Sequence, residues 1–364
     1  MEKVVNKIFI NTLIFLLINS FMTAENIESP FNGMILQLQE KCEEYSFFIG
    51  GHLYGDPNTT SIFPASSLLA NIDKINSFKA KFFISLGDNF RIADDINTEN
   101  FKSAWCSKIK MPIFNAVGNH DVSRRDFYQG KFGKTNYHFA FNHELFIILD
   151  SELTRAEIVG DQLTYFINTI NTFKKKPEIK NVFIFTHKLI WNIEPGYEVV
   201  FNHSNEKYTS RSCSNFRKRI KPHLIEMAKN KSVYWAAGDI GGGPNSLSLF
   251  FQELPGLNIT YIATGIGDTA RDAIIRVDII ENGGQARFIP ISLSKQNLKN
   301  IEHYNLDYWN KYFNFENKST KTCTKYKFFS KLKRTFMNKY FWRGVLLCSF
   351  IFFAIIFLRK WFKR

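Results

Sequence analysis

The chain has 364 residues, of which 45% are hydrophobic and 38 are Phe, with a formal net charge of +14. The charge is uneven: residues 321–364 carry twelve Lys or Arg and no acidic residue, so that only +1 remains on residues 25–320. A nearly neutral main body excludes nucleic-acid binding as the main function, and its length is enough for one large core or two layers of sheet.

At the N-terminus Lys3 and Lys7 precede an apolar run over 8–21, and Ala24 offers a small residue for cleavage, which is the grammar of a secretory signal peptide over 1–24. The exported part, 25–295, then opens with a strand over 45–49 that runs into Gly50-Gly51-His52, with Asp56 shortly after, and a helix over 66–77. Two apolar runs follow, 80–84 and 111–117. The first closes on Gly87-Asp88-Asn89, with Arg91 beyond it, and the second on Gly118-Asn119-His120-Asp121. Gly at each strand end permits a sharp turn, so that the polar side chains after it face a shared cleft.

A polar tip between strands 137–141 and 145–149 reads as a hairpin, and Asp150-Ser151-Glu152 as a capping turn before a helix over 160–173. A strand over 181–185 leads to His187. The polar stretch 196–219 is a candidate loop over the site, and a helix covers 215–228. A strand over 233–237 leads to Gly238-Asp239-Ile240-Gly241, and Gly241 to Pro244 reads as a turn beside the site. Strands over 259–263, 273–280 and 286–292 complete the domain, with Asp268 in a strand-end turn. The early alternation of strand and helix, followed by strands, argues for an α/β (α+β) sandwich of two mixed sheets flanked by helices.

Beyond a helical and basic segment, 296–343, residues 344–358 contain no charge and are flanked by aromatic and basic residues. They read as a single transmembrane helix followed by a six-residue basic tail, 359–364, with the basic flanks on anionic lipid. Together with the signal peptide this places the large domain in the secretory pathway or at the cell surface, outside the membrane. Cys42, Cys106, Cys213 and Cys323 allow up to two disulfides, and Cys348 lies in the anchor. No Cys has a C-x-x-C partner, which argues against a structural zinc site. Sequons at Asn58, Asn202, Asn230, Asn258 and Asn317 fit a secreted glycoprotein.

Asp88-Asn89, Gly118-Asn119-His120-Asp121 and Thr186-His187 resemble the second, third and fourth motif blocks of the calcineurin-like metallophosphoesterases, and the likeness extends over about 45–282. The resemblance implies Asp88 as a shared metal ligand, Asn119 and His187 on the second metal, and His120 acting on the transition state or the leaving oxygen. Asp121 would orient the His120 ring, and Arg91, Asn89, His52 and His120 would meet the phosphate. Two cations clamping phosphate oxygens and activating a water explain why such residues are needed. A chain of this family on a C-terminal helix is also similar to the glideosome-associated membrane anchors of apicomplexan parasites. Where the purple acid phosphatases put a Tyr iron ligand, this chain has Arg91.

Two blocks depart from the family pattern. His52 matches the first block, but its Asp position holds Gly50 or, shifted by one, Gly51. The last block has Asp239 for its first His and Gly241 for its second. Counting ligands gives Asp88, Asn119, His187 and Asp239 for a firmly held divalent metal (Mn, Mg, Ca, Zn or Fe). Only Asp88 and His52 remain for a second position, expected to be weak or empty. The expected activity is hydrolysis of phosphate esters at this modified, mononuclear centre. The alternative is a catalytically inactive membrane scaffold that binds protein partners.

Overall fold

The structure, a computed structural model, describes residues 26–314 apart from 155, 206–214 and 244. The expected signal peptide, the expected transmembrane helix and basic tail, Cys213, Cys323, Cys348 and the Asn317 sequon lie outside the described residues. No helix among the described residues is long and apolar enough to cross a membrane.

In chain order, β1 (Asn26–Glu28) and β2 (Ile35–Gln37) form a separate two-stranded ribbon. Next come β3 (Tyr45–Gly50), α1 (Ser66–Leu69), α2 (Ile72–Ser77), β4 (Phe83–Ser85), α3 (Asp95–Ala104), β5 (Ile113–Asn115) and α4 (Arg125–Phe132). They are followed by β6 (Tyr137–Phe141), β7 (Glu144–Ile148), α5 (Gly160–Phe173), β8 (Asn181–Thr186), α6 (Glu198–His203) and α7 (Lys221–Ala228). The last elements are β9 (Ser232–Ala237), β10 (Leu249–Glu253), β11 (Ile259–Thr264), β12 (Ala273–Ile280), β13 (Gln285–Ser292) and α8 (Leu306–Tyr312).

The strands make a five-stranded sheet ordered β13-β12-β3-β4-β5 and a six-stranded sheet ordered β10-β11-β9-β8-β7-β6. β3, β4 and β5 are mutually parallel, as are β7, β8, β9 and β11, while β12, β13, β6 and β10 run antiparallel to their neighbours. The expected sandwich of mixed sheets is therefore present. The hairpin at 141–145 is β6–β7, with Phe141 opposite Glu144.

Phenylalanine fills the space between the sheets. Successive side chains on a strand point to opposite faces, so Phe47 faces the second sheet while Phe48 faces the other way. Phe47 stacks on Phe82 at 5.0 Å and meets Phe146 of the second sheet edge-on at 5.3 Å, and Phe146 stacks on Phe183. Phe48 joins Phe83, Trp105 and Ile113 in a separate cluster on the outer face of the five-stranded sheet.

Two elements differ from the sequence reading. The helix over 66–77 is two short helices, broken where Asn71 leaves helical geometry and donates its amide to Ser67 O and Leu293 O. The helix over 215–228 begins as a π-turn, Phe216–Ile220, because Pro222 has no N–H to continue the α pattern. The described part of 296–343, helical as expected in a short turn (Ile301–His303) and α8, is docked on the domain. Trp309 is buried there, its indole donates to Leu249 O at 2.9 Å, and Phe251 N donates to Tyr304 O. Cys42 and Cys106 are free thiols.

Candidate metal centre

Polar side chains gather where parallel strands of both sheets end. His52 follows β3, Asp88 follows β4, Asn119 to Asp121 follow β5, Glu152 follows β7, His187 and Lys188 follow β8, and Asp239 follows β9. The carboxyl ends of parallel strands carry open backbone and sharp turns, which is where such a site belongs. Here the turns are held tightly: His52 and Asp88 adopt left-handed backbone at φ 55° and 56°. This strained geometry is sustained by hydrogen bonds from His52 N to Gly87 O, Tyr54 N to Asp88 O and Asp88 N to Asp121 Oδ2.

Asp88, His187 and Asp239 form a fully buried cluster whose donor atoms all lie within 4.8 Å of one another. His187 Nε2 is 3.3 Å from Asp88 Oδ2 and 3.5 Å from Asp239 Oδ1, and His52 Nε2 is 3.8 Å from Asp88 Oδ2. Each imidazole is turned by a backbone carbonyl, His187 Nδ1 by Leu86 O at 2.8 Å and His52 Nδ1 by Ile266 O at 2.9 Å. Those bonds assign the proton to Nδ1 and leave Nε2 as the free donor atom, the usual arrangement behind a metal-ligating histidine.

A divalent cation fits this cluster. His187 Nε2 is buried yet hydrogen-bonds neither carboxylate beside it. Donors ~2.1 Å from a tetrahedral cation stand about 3.4 Å apart, close to the two His187 separations.

The charges agree with this. Burial and neighbouring groups pull against each other at every member. Burial pushes the Asp88 carboxyl up, but His187, His120 and His52 together hold it well below the usual carboxylate range. Burial pushes Asp239 up, while Lys188 and His187 outweigh it and hold it down. Burial lowers His187, but Asp88 and Asp239 raise it to about 10, so that without a cation a proton sits on Nε2 between the two carboxylates, where a cation would displace it. His52 has its pKa lowered by burial.

Other residues expected at the site are placed differently. Asn119, expected on the metal, is exposed, and its Oδ1 accepts from Lys188 Nζ at 3.0 Å. Asp121, expected to orient His120, is fully buried and accepts from the backbone N–H groups of Asp88, Asn89 and Gly118, which fixes the two loops to each other. Burial, then the Asp88 charge, raises its pKa to about 6. The His120 ring is instead held by Arg91 O at 2.7 Å through Nδ1, with the Tyr54 hydroxyl 3.3 Å from Nε2. Asn89, expected at the phosphate, is buried between Ser85 Oγ and Asp121.

The departures from the family pattern are built into the backbone. A Cβ on Gly50 would meet Ile274 and Phe83 in the outer core at 2.9 and 3.0 Å, and one on Gly51 would lie 2.5 Å from Gly238 Cα. Neither position has room for a carboxylate directed at Asp88. Asp56 does not fold back either, since its carboxylate accepts from Asn58 N at 2.8 Å. Asp268 is the strand-end turn residue expected, accepting from Ser66 Oγ at 2.9 Å. The described part of 196–219 reaches the site through Asn205 N, which donates to Asp239 O at 3.0 Å.

Sequence reasoning missed Tyr54 and Lys188. Tyr54 is buried, its ring 4.5 Å from His52 and 4.7 Å from His120. Burial, then Asp88 and Asp239, keep its phenol protonated well above the ordinary range. Its only signal was a place two residues past His52. Lys188 donates to Asp239 Oδ2 at 2.5 Å, and its signal was adjacency to His187.

Residues 54–226 match the profile of the calcineurin-like phosphoesterases, a span that takes in Asp88, Asn119, His120 and His187 and stops short of His52 and Asp239. No curated protein matches the chain. Among solved structures, similarity is found to a purple acid phosphatase from yellow lupin (Lupinus luteus) seeds, at 9% identity and a TM-score of 0.49, over 72% of this chain and 53% of that one. The chain thus spans about half the length of that phosphatase. A cold-active protein-tyrosine phosphatase of a psychrophilic Shewanella species follows at 10% identity and a TM-score of 0.25, over 67% of this chain and 80% of that one.

Proposed function

We propose, from the premise that residues 54–226 form a calcineurin-like phosphoesterase domain, that this chain hydrolyses phosphate esters at a centre with one divalent cation. Asp88, His187 and Asp239 would hold it, with His52 flanking on the Asp88 side. The observation that carries this reading is His187 Nε2, buried without a hydrogen bond between two carboxylates while its other nitrogen is tied to Leu86 O. An imidazole ligand favours Mn2+, Fe2+ or Zn2+ over Mg2+ or Ca2+. When bound, such a cation supplies Lewis-acid charge to a phosphoryl oxygen and favours deprotonation of water.

The chain's own groups supply the rest. Asp88 Oδ1 is fixed by His120 N at 3.0 Å, which leaves Oδ2 for the cation. His120, half-buried, accepts at Nε2 from the Tyr54 hydroxyl, so the two rings hold between them the proton that a leaving alkoxide needs. Arg91 lies on the Asp88 loop, its carbonyl setting the His120 ring, with its guanidinium as a charge for the phosphate.

The uncharged run 344–358 with its basic flanks would tether the domain to a membrane, with the domain on the luminal or extracellular side. Removing metal with a chelator should abolish p-nitrophenyl phosphate turnover and Mn2+ should restore it, whereas Asp239→Ala should not be restored at the same Mn2+ concentration. Turnover that survives chelation would overturn the reading.

A further inference from the structure

Asp239 divides its two oxygens between two neighbours. Oδ1 faces His187 Nε2, while Oδ2 accepts from Lys188 Nζ. The Lys188 side chain is only 9% exposed, and its ammonium also donates to Asn119 Oδ1 at 3.0 Å and lies 3.8 Å from Glu152 Oε1. That Glu152 oxygen is itself buried without a hydrogen bond.

Three oxygen-bearing side chains, carried on loops after β5, β7 and β9, thus converge on one point beside the metal triad. Two carboxylates and an amide oxygen are the donor set of a hard divalent cation, and a buried cluster of this kind requires a compensating positive charge. The chain supplies that charge covalently, from the residue next to His187.

We propose that the Lys188 ammonium takes the position and charge of a second metal ion, so that the centre combines one exchangeable cation with one built into the chain. The proposal rests on the reading of Asp88, His187 and Asp239 as a metal centre. It explains why the expected ligand Asn119 is turned away from that triad, and why the centre persists without a carboxylate at Gly50 or Gly51.

The test counts metal directly. Full-length chain, purified in detergent and saturated with Mn2+, is passed through gel filtration, and manganese per chain is measured alongside the electron paramagnetic resonance spectrum. The wild type should hold one ion with the spectrum of an isolated Mn2+, and Lys188→Arg, which keeps the charge, should match it. Lys188→Met should hold two ions and show a spin-coupled pair. If Lys188→Met loses its near-UV circular dichroism, Lys188→Gln gives the same decision. Two ions in the wild type, or one ion in both wild type and Lys188→Met, would overturn the proposal and leave the metal centre standing. No ion in the wild type but one in Lys188→Met would support the role of Lys188 while overturning the triad as a metal centre.

Discussion

Gly118→Ala puts a methyl group where the structure has no space for one. Its Cβ would lie 2.1 Å from Asp88 Oδ1 and 2.6 Å from Asp88 N, well inside the 3.4 Å at which ordinary contact begins. Asp88 cannot rotate away cheaply. Its amide donates to Asp121 Oδ2, its carbonyl accepts from Tyr54 N, and Oδ1 accepts from His120 N. The strain must therefore move the carboxylate and its loop by ~1 Å, a displacement of the order that costs about 100-fold in turnover. Overpacking of this kind costs about 1–3 kcal/mol, so the fold should survive with a lowered melting temperature.

The assays are Mn2+ titration calorimetry, thermal melting and p-nitrophenyl phosphate turnover. The control is Gly130→Ala, inside α4, where an added Cβ meets nothing within 4 Å. It should raise stability by about 0.5–1 kcal/mol and leave turnover and Mn2+ affinity unchanged. Gly118→Ala with wild-type Mn2+ affinity and turnover would refute the claim that this close approach sets the position of Asp88.

Two further outcomes follow from the same geometry. Gly51→Asp restores a carboxylate that the family pattern calls for, yet its Cβ would meet the backbone at Gly238 and Thr264. It should lower the melting temperature without adding a bound Mn2+, as thermal melting and metal analysis will check. Away from the site, burial raises the pKa of Glu144 above 4.5, against hydrogen bonds from Tyr45 and Asn181. The unfolded chain then ionises first as pH rises. Stability contributed at low pH is lost from about pH 4.5 upward to the raised value, and Glu144→Gln should flatten that segment of the melting-temperature profile.

What could be read from the sequence was local. Apolar runs ending in Gly and then Asp or Asn announced β4, β5 and β9 together with their tips, and a run ending in Thr186-His187 announced β8, because strand burial and sharp turns leave an imprint on neighbouring positions. The destinations of the side chains left no such imprint. Asp121 looks the same in a sequence whether it orients an imidazole or accepts three backbone N–H groups, and the structure shows the second. Lys188 acquires its meaning only when Asn119, Glu152 and Asp239, distant in the chain, meet around its ammonium. The break at Asn71 likewise depends on Leu293 O, far along the chain. The steric reason for Gly50 and Gly51 also appears only when β3 is packed against Ile274, Phe83 and Gly238.

The most direct measurement of the central claim is turnover of p-nitrophenyl phosphate and bis-p-nitrophenyl phosphate by Mn2+-loaded full-length chain, set against Asp88→Asn and His120→Ala. The account predicts metal-dependent hydrolysis that falls by at least ~100-fold in both variants, in line with the loss of a cation ligand or of a proton-transfer group. Equal activity in all three would contradict it and leave a phosphatase-like domain serving as a scaffold.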